Sequence, residues 1–195
     1  MPIARRVARV MEVMQKRQKG LIIVLEDIYD PHNAAAILRS AEAFGAGTIY
    51  FIFNTEKEFN PRQIGKRSSS SANKWLEFKI FKTIEECTKE LKKQKYTIIA
   101  TALIPDAKSI FRASFTSPRI ALMFGNESRG LSPKALSIAD EVVSIPMRGM
   151  VESLNLSVSA GIFLFEITRR RLATMKKHVL TTREAKAATK RILRT

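Results

Sequence analysis

The chain is short of the residues on which much familiar enzyme chemistry rests. Among its 195 residues there is one cysteine, Cys87, and there are two histidines, His32 and His178. A single cysteine excludes an internal disulfide, and Cys87 has no metal-ligand neighbours at useful spacing. It therefore reads as a packing residue in a helix, with a reducing cytoplasm as the default compartment. Two histidines so far apart give little support to a His-based metal site or a catalytic triad, and no metal is expected. No Gly-x-Gly-x-x-Gly follows the first apolar run and no P-loop is present, which disfavours a usual dinucleotide-binding fold. No apolar run is long enough to span a bilayer, and the opening Met-Pro-Ile-Ala-Arg-Arg has no apolar signal core. What remains is an ordinary globular composition, 45% hydrophobic and 27% charged. The length suits one domain and is too short for two comfortable ones.

Charge is present in excess and unevenly placed. The formal net charge is +16. Residues 1–20 hold six Arg/Lys against one Glu, or +5, and residues 167–195 hold ten against one Glu, or +9, which leaves +2 for residues 21–166. A nearly neutral centre with basic ends is the footprint of a domain whose terminal elements hold phosphate backbones, and it predicts an affinity that falls steeply with salt. Solubility alone is the plain alternative. An anionic membrane surface is disfavoured, because neither end carries a bulky apolar face.

Strand and helix signals alternate along the chain. Ile3, Val7, Val10, Met11 and Met14 fall at helical spacing with Arg5, Arg6, Arg9 and Lys16 largely opposite, which predicts an amphipathic basic helix ended by Gly20. Strands are expected at 21–25, 48–53, 76–81, 96–101, 120–124 and 142–145. Between them Asp30-Pro31 starts a helix that stops at Gly45, Thr83-x-x-Glu86 is a capping box, and Ser132-Pro133 starts a short helix. Residues 54–74 read as irregular, as does a loop holding Pro105 and Pro118. A long helix is expected to about Lys177, and Thr181-x-x-Glu184 is a capping box for a final basic helix. Buried-looking strands joined by helices indicate an α/β domain with a mainly parallel sheet.

Ligands of such sheets sit at the carboxyl ends of the strands, and three segments there carry unusual polar content. In the first, Glu26 to Asn33 leads into a helix on which His32 and Arg39, seven apart, share a face. Arg39 is either a bidentate phosphate ligand or a solvated arginine. In the second, Gly125-Asn-Glu-Ser-Arg-Gly130, two glycines bracket Glu127, for close approach to a ligand or as a bare turn. The third, Ile145 to Ile162, is a strand end, a Gly-containing loop and a helix start bearing Ser153, Asn155, Ser157 and Ser159. A polar helix start offers N–H donors to a ligand, and Ser153 is the expected cap.

In this order the segments resemble the three motifs of the SpoU/TrmH-type RNA 2'-O-ribose methyltransferases: Asn33…Arg39, then Gly-x-Glu-x-x-Gly, then Ile-Pro-Met-x-Gly-Met-Val-x-Ser-Leu-Asn-x-Ser-Val. The likeness covers nearly the whole chain and includes Arg5…Arg9, Leu-Glu-Asp-x-x-x-Pro-His-Asn33, Asn-Lys-Trp75 and Ala-Thr-Ala-Leu103. It points to the branch that modifies a D-loop guanosine of tRNA, guanosine 18. Ribosomal RNA or another tRNA nucleotide is the alternative within the same chemistry, and a non-catalytic RNA-binding protein the alternative outside it.

The resemblance implies an α/β fold with helices on both faces of the sheet and a C-terminal trefoil knot. It implies a methyltransferase domain at 21–177 between a basic N-terminal helix at 1–20 and a basic C-terminal helix at 178–195. It places S-adenosylmethionine against Thr101, Leu103, Gly125, Ile145, Met150 and Leu154. It makes Arg39 the key catalytic residue, held by Asn33, Glu127, Ser153 and Asn155, and makes the protein a homodimer. RNA phosphates would meet Arg5, Arg6, Arg9, Lys74, Arg169, Arg170 and Arg171. Trp75 beside Lys74 reads more readily as core. The stretch from Leu180 to Thr195 is a basic capping-box helix that the resemblance does not assign.

Overall fold

The computed structural model describes residues 3–64 and 72–193. The serine run Ser68–Ser71, expected to be irregular, lies outside the described residues. Seven strands form one all-parallel sheet: β1 (Gln18–Glu26), β2 (Ala46–Ile52), β3 (Glu77–Phe81), β4 (Thr97–Thr101), β5 (Lys108–Ser109), β6 (Ile120–Phe124) and β7 (Glu141–Ser144), in the order β3-β2-β1-β6-β4-β7-β5. The helices are α1 (Ile3–Lys16), α2 (Pro31–Ala43), α3 (Ile84–Lys93), α4 (Pro133–Ile138), α5 (Leu156–Arg171) and α6 (Thr182–Ile192).

The sheet is buried on both faces because its central strands are apolar at successive positions. Leu21, Ile23 and Leu25 of β1, with Leu122 and Phe124 of β6, pack into the cluster that holds Ile37 and Leu38 of α2 and Phe163 and Leu164 of α5. The alternate residues Ile22, Val24, Ala121 and Met123 pack into a second cluster with Ile84, Cys87 and Leu91 of α3 and Ala135 of α4. Cys87 is the packing residue its isolation implied, and burial pushes its thiol up to about 12. Among the described residues no helix is long and apolar enough to cross a membrane.

Local signals set most element ends. Asp30 caps α2 by accepting the His32 N–H, with Pro31 in the first turn. Thr181 and Glu184 form a reciprocal capping box on α6. The box expected on α3 is half made: Thr83 accepts the Glu86 N–H, but Glu86 takes the N–H of Lys82, one residue before the cap.

Four expectations are corrected. Gly20 does not end α1, which stops at Lys16. It lies inside β1 with φ +70°, and a Cβ there would sit 2.1 Å from the carbonyl oxygen of Pro118. The glycine is needed for that backbone contact and not for a helix stop. The segment between Pro105 and Pro118 holds β5, a two-residue strand on the edge of the sheet beside β7. The long helix ends at Arg171 and continues as a 3-10 segment, Leu172–Lys177, that breaks at Thr174 (φ −124°, ψ 22°). Finally, Ser153 is not the cap of α5; Asn155 is.

The two basic ends meet. α1 packs on α6, and Val10 and Met14 share a third apolar cluster with Ala185 and Ala188. Trp75 packs against this cluster, so it is core, as a lone Trp at a strand start suggests. Gln18, at the start of β1, also bridges to Val179.

Candidate active site

The sheet order places β1 beside β6: the chain lays β2 and β3 outward on one side of β1, then crosses over and places β4, β5, β6 and β7 on the other. Such a reversal leaves a crevice at the strand carboxyl ends. All three polar segments end there. The loop after β1 leads into α2, the loop after β6 is Gly125–Gly130, and the chain after β7 runs through 145–155 into α5.

These three loops are joined by one chain of hydrogen bonds. Asn155 Oδ1 caps α5 by accepting the N–H groups of Ser157 at 2.8 Å and Val158 at 3.4 Å. Its Nδ2 then donates to Asn33 Oδ1 at 3.0 Å. Asn33 Nδ2 donates to Glu127 Oε1 at 3.0 Å. Glu127 also accepts the backbone N–H of Tyr29 at 2.9 Å and of Asp30 at 3.2 Å. The amides of both asparagines are used at both ends, which fixes their orientation. Glu127 is therefore no bare-turn residue: it ties the loop after β6 to the loop after β1. Arg39 stands on the exposed side of α2, two turns from the His32 side chain whose Nδ1 lies 3.0 Å from Asp30 Oδ1.

Beside this chain lies a cavity of about 390 Å³ at the carboxyl ends of β4, β6 and β7. Thr101, Leu103, Gly125, Ile145 and Leu154, assigned to the cofactor by the resemblance, line it, and so do Glu127 and Ser153. Met150 does not: it is 100% exposed on the loop before α5, and the cavity is met by Met147 instead. Arg129 and Phe163 also line it and were not foreseen. Phe163 sits edge-on to Phe124 with ring centroids 5.8 Å apart, so the core of the sheet forms one wall. The Thr101 hydroxyl on the cavity wall is satisfied within the protein by donating to the Met123 carbonyl. The volume lies in the range of small-molecule sites.

The loop from Gly125 to Gly130 owes its shape to close backbone contact. Asn126 and Gly130 exchange both backbone hydrogen bonds, at 3.0 and 2.9 Å. A Cβ on Gly125 would lie 2.2 Å from backbone atoms of Gly130 and Leu131.

The basic residues separate into two kinds. Arg5, Arg6 and Arg9 are exposed along α1, with Arg9 ion-paired to Glu12 at 2.7 Å, and Lys74 is exposed at the end of a 3-10 turn, Ala72–Lys74. Because α6 packs on α1, Arg183, Lys186, Lys190 and Arg191 join the same terminal unit. Nothing local in the sequence announces that pairing. Arg169 and Arg170 both grip Glu166, at 2.7 and 2.6 Å, and Arg170 also donates to the Phe111 carbonyl. The hydrogen bond from Arg169, aided by Arg170, holds the Glu166 carboxyl down at about 2 although burial opposes it.

Arg171 is corrected from phosphate contact to scaffold. It is fully buried and donates to the carbonyls of Ser117 and Phe115 and to Gln18 Oε1, and burial draws its guanidinium down to about 10. Three consecutive helical residues point about 100° apart, so an arginine triplet cannot present all its members to one ligand.

Comparison with known proteins agrees with this geometry. The profile of the SpoU rRNA Methylase family matches residues 20–165. A tRNA (guanosine(18)-2'-O)-methyltransferase of Thermus thermophilus is 39% identical over 166 residues, which is 84% of this chain and 82% of that protein. The structure of the Aquifex aeolicus TrmH/SpoU tRNA modifying enzyme superposes with a TM-score of 0.87 at 31% identity, covering 97% of this chain and 95% of that one. The SpoU methyltransferase AviRb of Streptomyces viridochromogenes, solved in complex with the cofactor AdoMet, has a TM-score of 0.70 at 26% identity over 83% of this chain and 62% of its own.

Proposed function

The chain belongs to the SpoU methylase family, and from that premise we propose that it transfers a methyl group from S-adenosylmethionine to the ribose 2'-hydroxyl of guanosine 18 in the D-loop of tRNA. The observation that carries this reading is the 39% identity to a guanosine-18 enzyme over most of both chains. The Asn155–Asn33–Glu127 chain beside a cavity of mixed apolar and polar lining is what such a reaction requires: a donor site and an acceptor site held at fixed separation.

The residues of the cavity fit the cofactor. Leu103, Ile145 and Leu154 offer apolar walls, while Gly125 and its neighbours offer backbone polar groups to an adenosine. Bound there, S-adenosylmethionine supplies an electrophilic methyl group on a sulfonium. Arg39 anchors an RNA phosphate and orients the 2'-hydroxyl. A guanidinium carries N–H donors and no acceptor lone pair, so it is not the base that takes the hydroxyl proton. The phosphate that it holds shares that proton. Asn33, Glu127 and Asn155 keep the approach to the cavity rigid, and Ser153 lines the cavity beside them.

Several finer features belong to the same proposal. A second copy of the chain covers the exposed apolar side chains Val151, Leu154, Val158, Phe165 and Leu172, which lie before, on and just after α5 and are unusual for a free surface. The C-terminal part forms a trefoil knot; in support, β7 is inserted between β4 and β5 after both are laid down. The terminal segments 1–20 and 178–195 act as one RNA grip beside the 21–177 methyltransferase domain, in the cytoplasm. Arg5, Arg6, Arg9 and Lys74 contact phosphates in this reading, and Arg169 and Arg170 do so only by releasing Glu166.

The test is methyl transfer from labelled S-adenosylmethionine to total tRNA and, separately, to ribosomal RNA. Label is expected in tRNA. Label confined to ribosomal RNA would move the protein to another branch of the family, and label in neither would reject catalysis.

A further inference from the structure

The two residues at the carboxyl end of β1, Glu26 and Asp27, are buried polar groups that the site described so far does not use. Glu26 Oε2 accepts the Ser132 N–H at 2.9 Å and Oε1 accepts the Ser132 hydroxyl at 2.8 Å. The same hydroxyl caps α4 by accepting the Ala135 N–H at 3.1 Å. Asp27 lies in the left-handed region with φ +50°, uncommon for a residue with a side chain. Its backbone carbonyl accepts from Asn126 Nδ2 at 2.8 Å. Its side chain holds the backbone in place: Oδ1 accepts the N–H groups of Asn54, Thr55 and Glu56, and Oδ2 the Thr55 hydroxyl. Burial pushes this carboxyl up, yet the hydrogen bonds from 54–56 hold it below the usual range.

Asn126 and Ser132 are the two ends of one loop. Within it, Asn126 Oδ1 accepts the N–H groups of Ser128 and Arg129, and Arg129 reaches back to Thr55 and Glu56. The loop floors the cavity and carries Glu127 to Asn33. We propose that Glu26 and Asp27 are positioning residues for methyl transfer, clamping both ends of the 126–132 loop so that the cofactor cavity and the Asn33–Glu127 contact share one fixed geometry. The proposal rests on the function given above. Neither residue touches the reacting atoms; each acts through the loop.

Two variants probe the two ends of the clamp in the full-length protein. Glu26→Gln keeps the size but cannot accept both Ser132 donors without turning its own NH2 toward one of them. Asn126→Asp keeps the acceptor for Ser128 and Arg129 but loses the donor to the Asp27 carbonyl. For each and for the double variant, one measures S-adenosylmethionine affinity by calorimetry, tRNA affinity, kcat and the thermal midpoint. Each single variant is expected to weaken cofactor binding about tenfold, with kcat down by at least as much and tRNA affinity within about twofold. The double variant is expected to lose much less than the product of the singles, because a loop freed at one end is already free. A residue serving stability alone would lower the thermal midpoint and leave cofactor affinity unchanged.

Cofactor affinity within twofold of the parent in both folded single variants, or losses that multiply, would overturn the proposal. Should Glu26→Gln not fold, Ser132→Ala, which removes one hydroxyl at a half-buried position, is expected to weaken the cofactor several-fold, and no change would count equally against it. A parent protein that binds S-adenosylmethionine without methylating tRNA would defeat the functional reading, while the affinities would still judge the clamp.

Discussion

Arg39→Ala is expected to lower kcat for methyl transfer by roughly two to three orders of magnitude, the range seen when one preorganised donor is removed from a transition state, with S-adenosylmethionine affinity unchanged within about twofold. The asymmetry follows from placement. Arg39 is on the exposed side of α2, and the cavity is lined from the ends of β4, β6 and β7 and the start of α5. In the proposed arrangement, losing the guanidinium removes the anchor for the RNA phosphate and leaves the cavity walls intact. Arg39→Lys is expected to recover little, because an ammonium supplies a point charge where two parallel N–H groups are needed. Single-turnover transfer with both substrates saturating separates this from weak RNA binding. Near-normal single-turnover rates in Arg39→Ala would remove Arg39 from the chemistry.

The second large effect is expected at Gly125. A Cβ at this position would stand 2.2 Å from backbone atoms of Gly130 and Leu131, neither of which can move as a flexible side chain tip does. Gly125→Ala must open the loop. Overpacking of this kind costs about 1–3 kcal/mol or more, which lowers the thermal midpoint by several degrees in a chain of this size. Cofactor binding should fall by about a hundredfold or more, since the opened loop no longer floors the cavity. Gly149→Ala is the control: nothing lies within 4 Å of a Cβ there. Calorimetry that finds normal cofactor affinity in Gly125→Ala would place the cofactor elsewhere.

How much of this was legible in the sequence depended on whether local chemistry or long-range contact decided each feature. The central strands were plain, because burial on both faces gives runs such as Leu21-Ile-Ile-Val-Leu25 that need no partner to be recognised. Asp30-Pro31 and Thr181-x-x-Glu184 were plain because a cap is satisfied within a few residues. Gly20 misleads because a helix-stopping glycine and a strand glycine pressed against Pro118 look alike until the distant backbone is placed. Ser153 and Asn155 are both good caps; Asn155 caps α5 while its amide also reaches Asn33. β5 has too few residues to show a period, and Arg171 is hidden in a triplet whose outward neighbours look the same. The site motifs fall on the three loops that the hydrogen bonds join. The order of hydrogen bonds through them, and the part of Glu26 and Asp27 in holding them, became visible only with the strand ends side by side.

The most direct test of the whole account is to locate the methyl group. Unmodified tRNA carrying a D-loop guanosine at position 18 is incubated with the protein and S-adenosylmethionine, digested and mapped by mass spectrometry. The account predicts a single 2'-O-methyl group on guanosine 18, and none when that guanosine is replaced. A methyl group on a base nitrogen or carbon, or on a ribose elsewhere in the same tRNA, would contradict it.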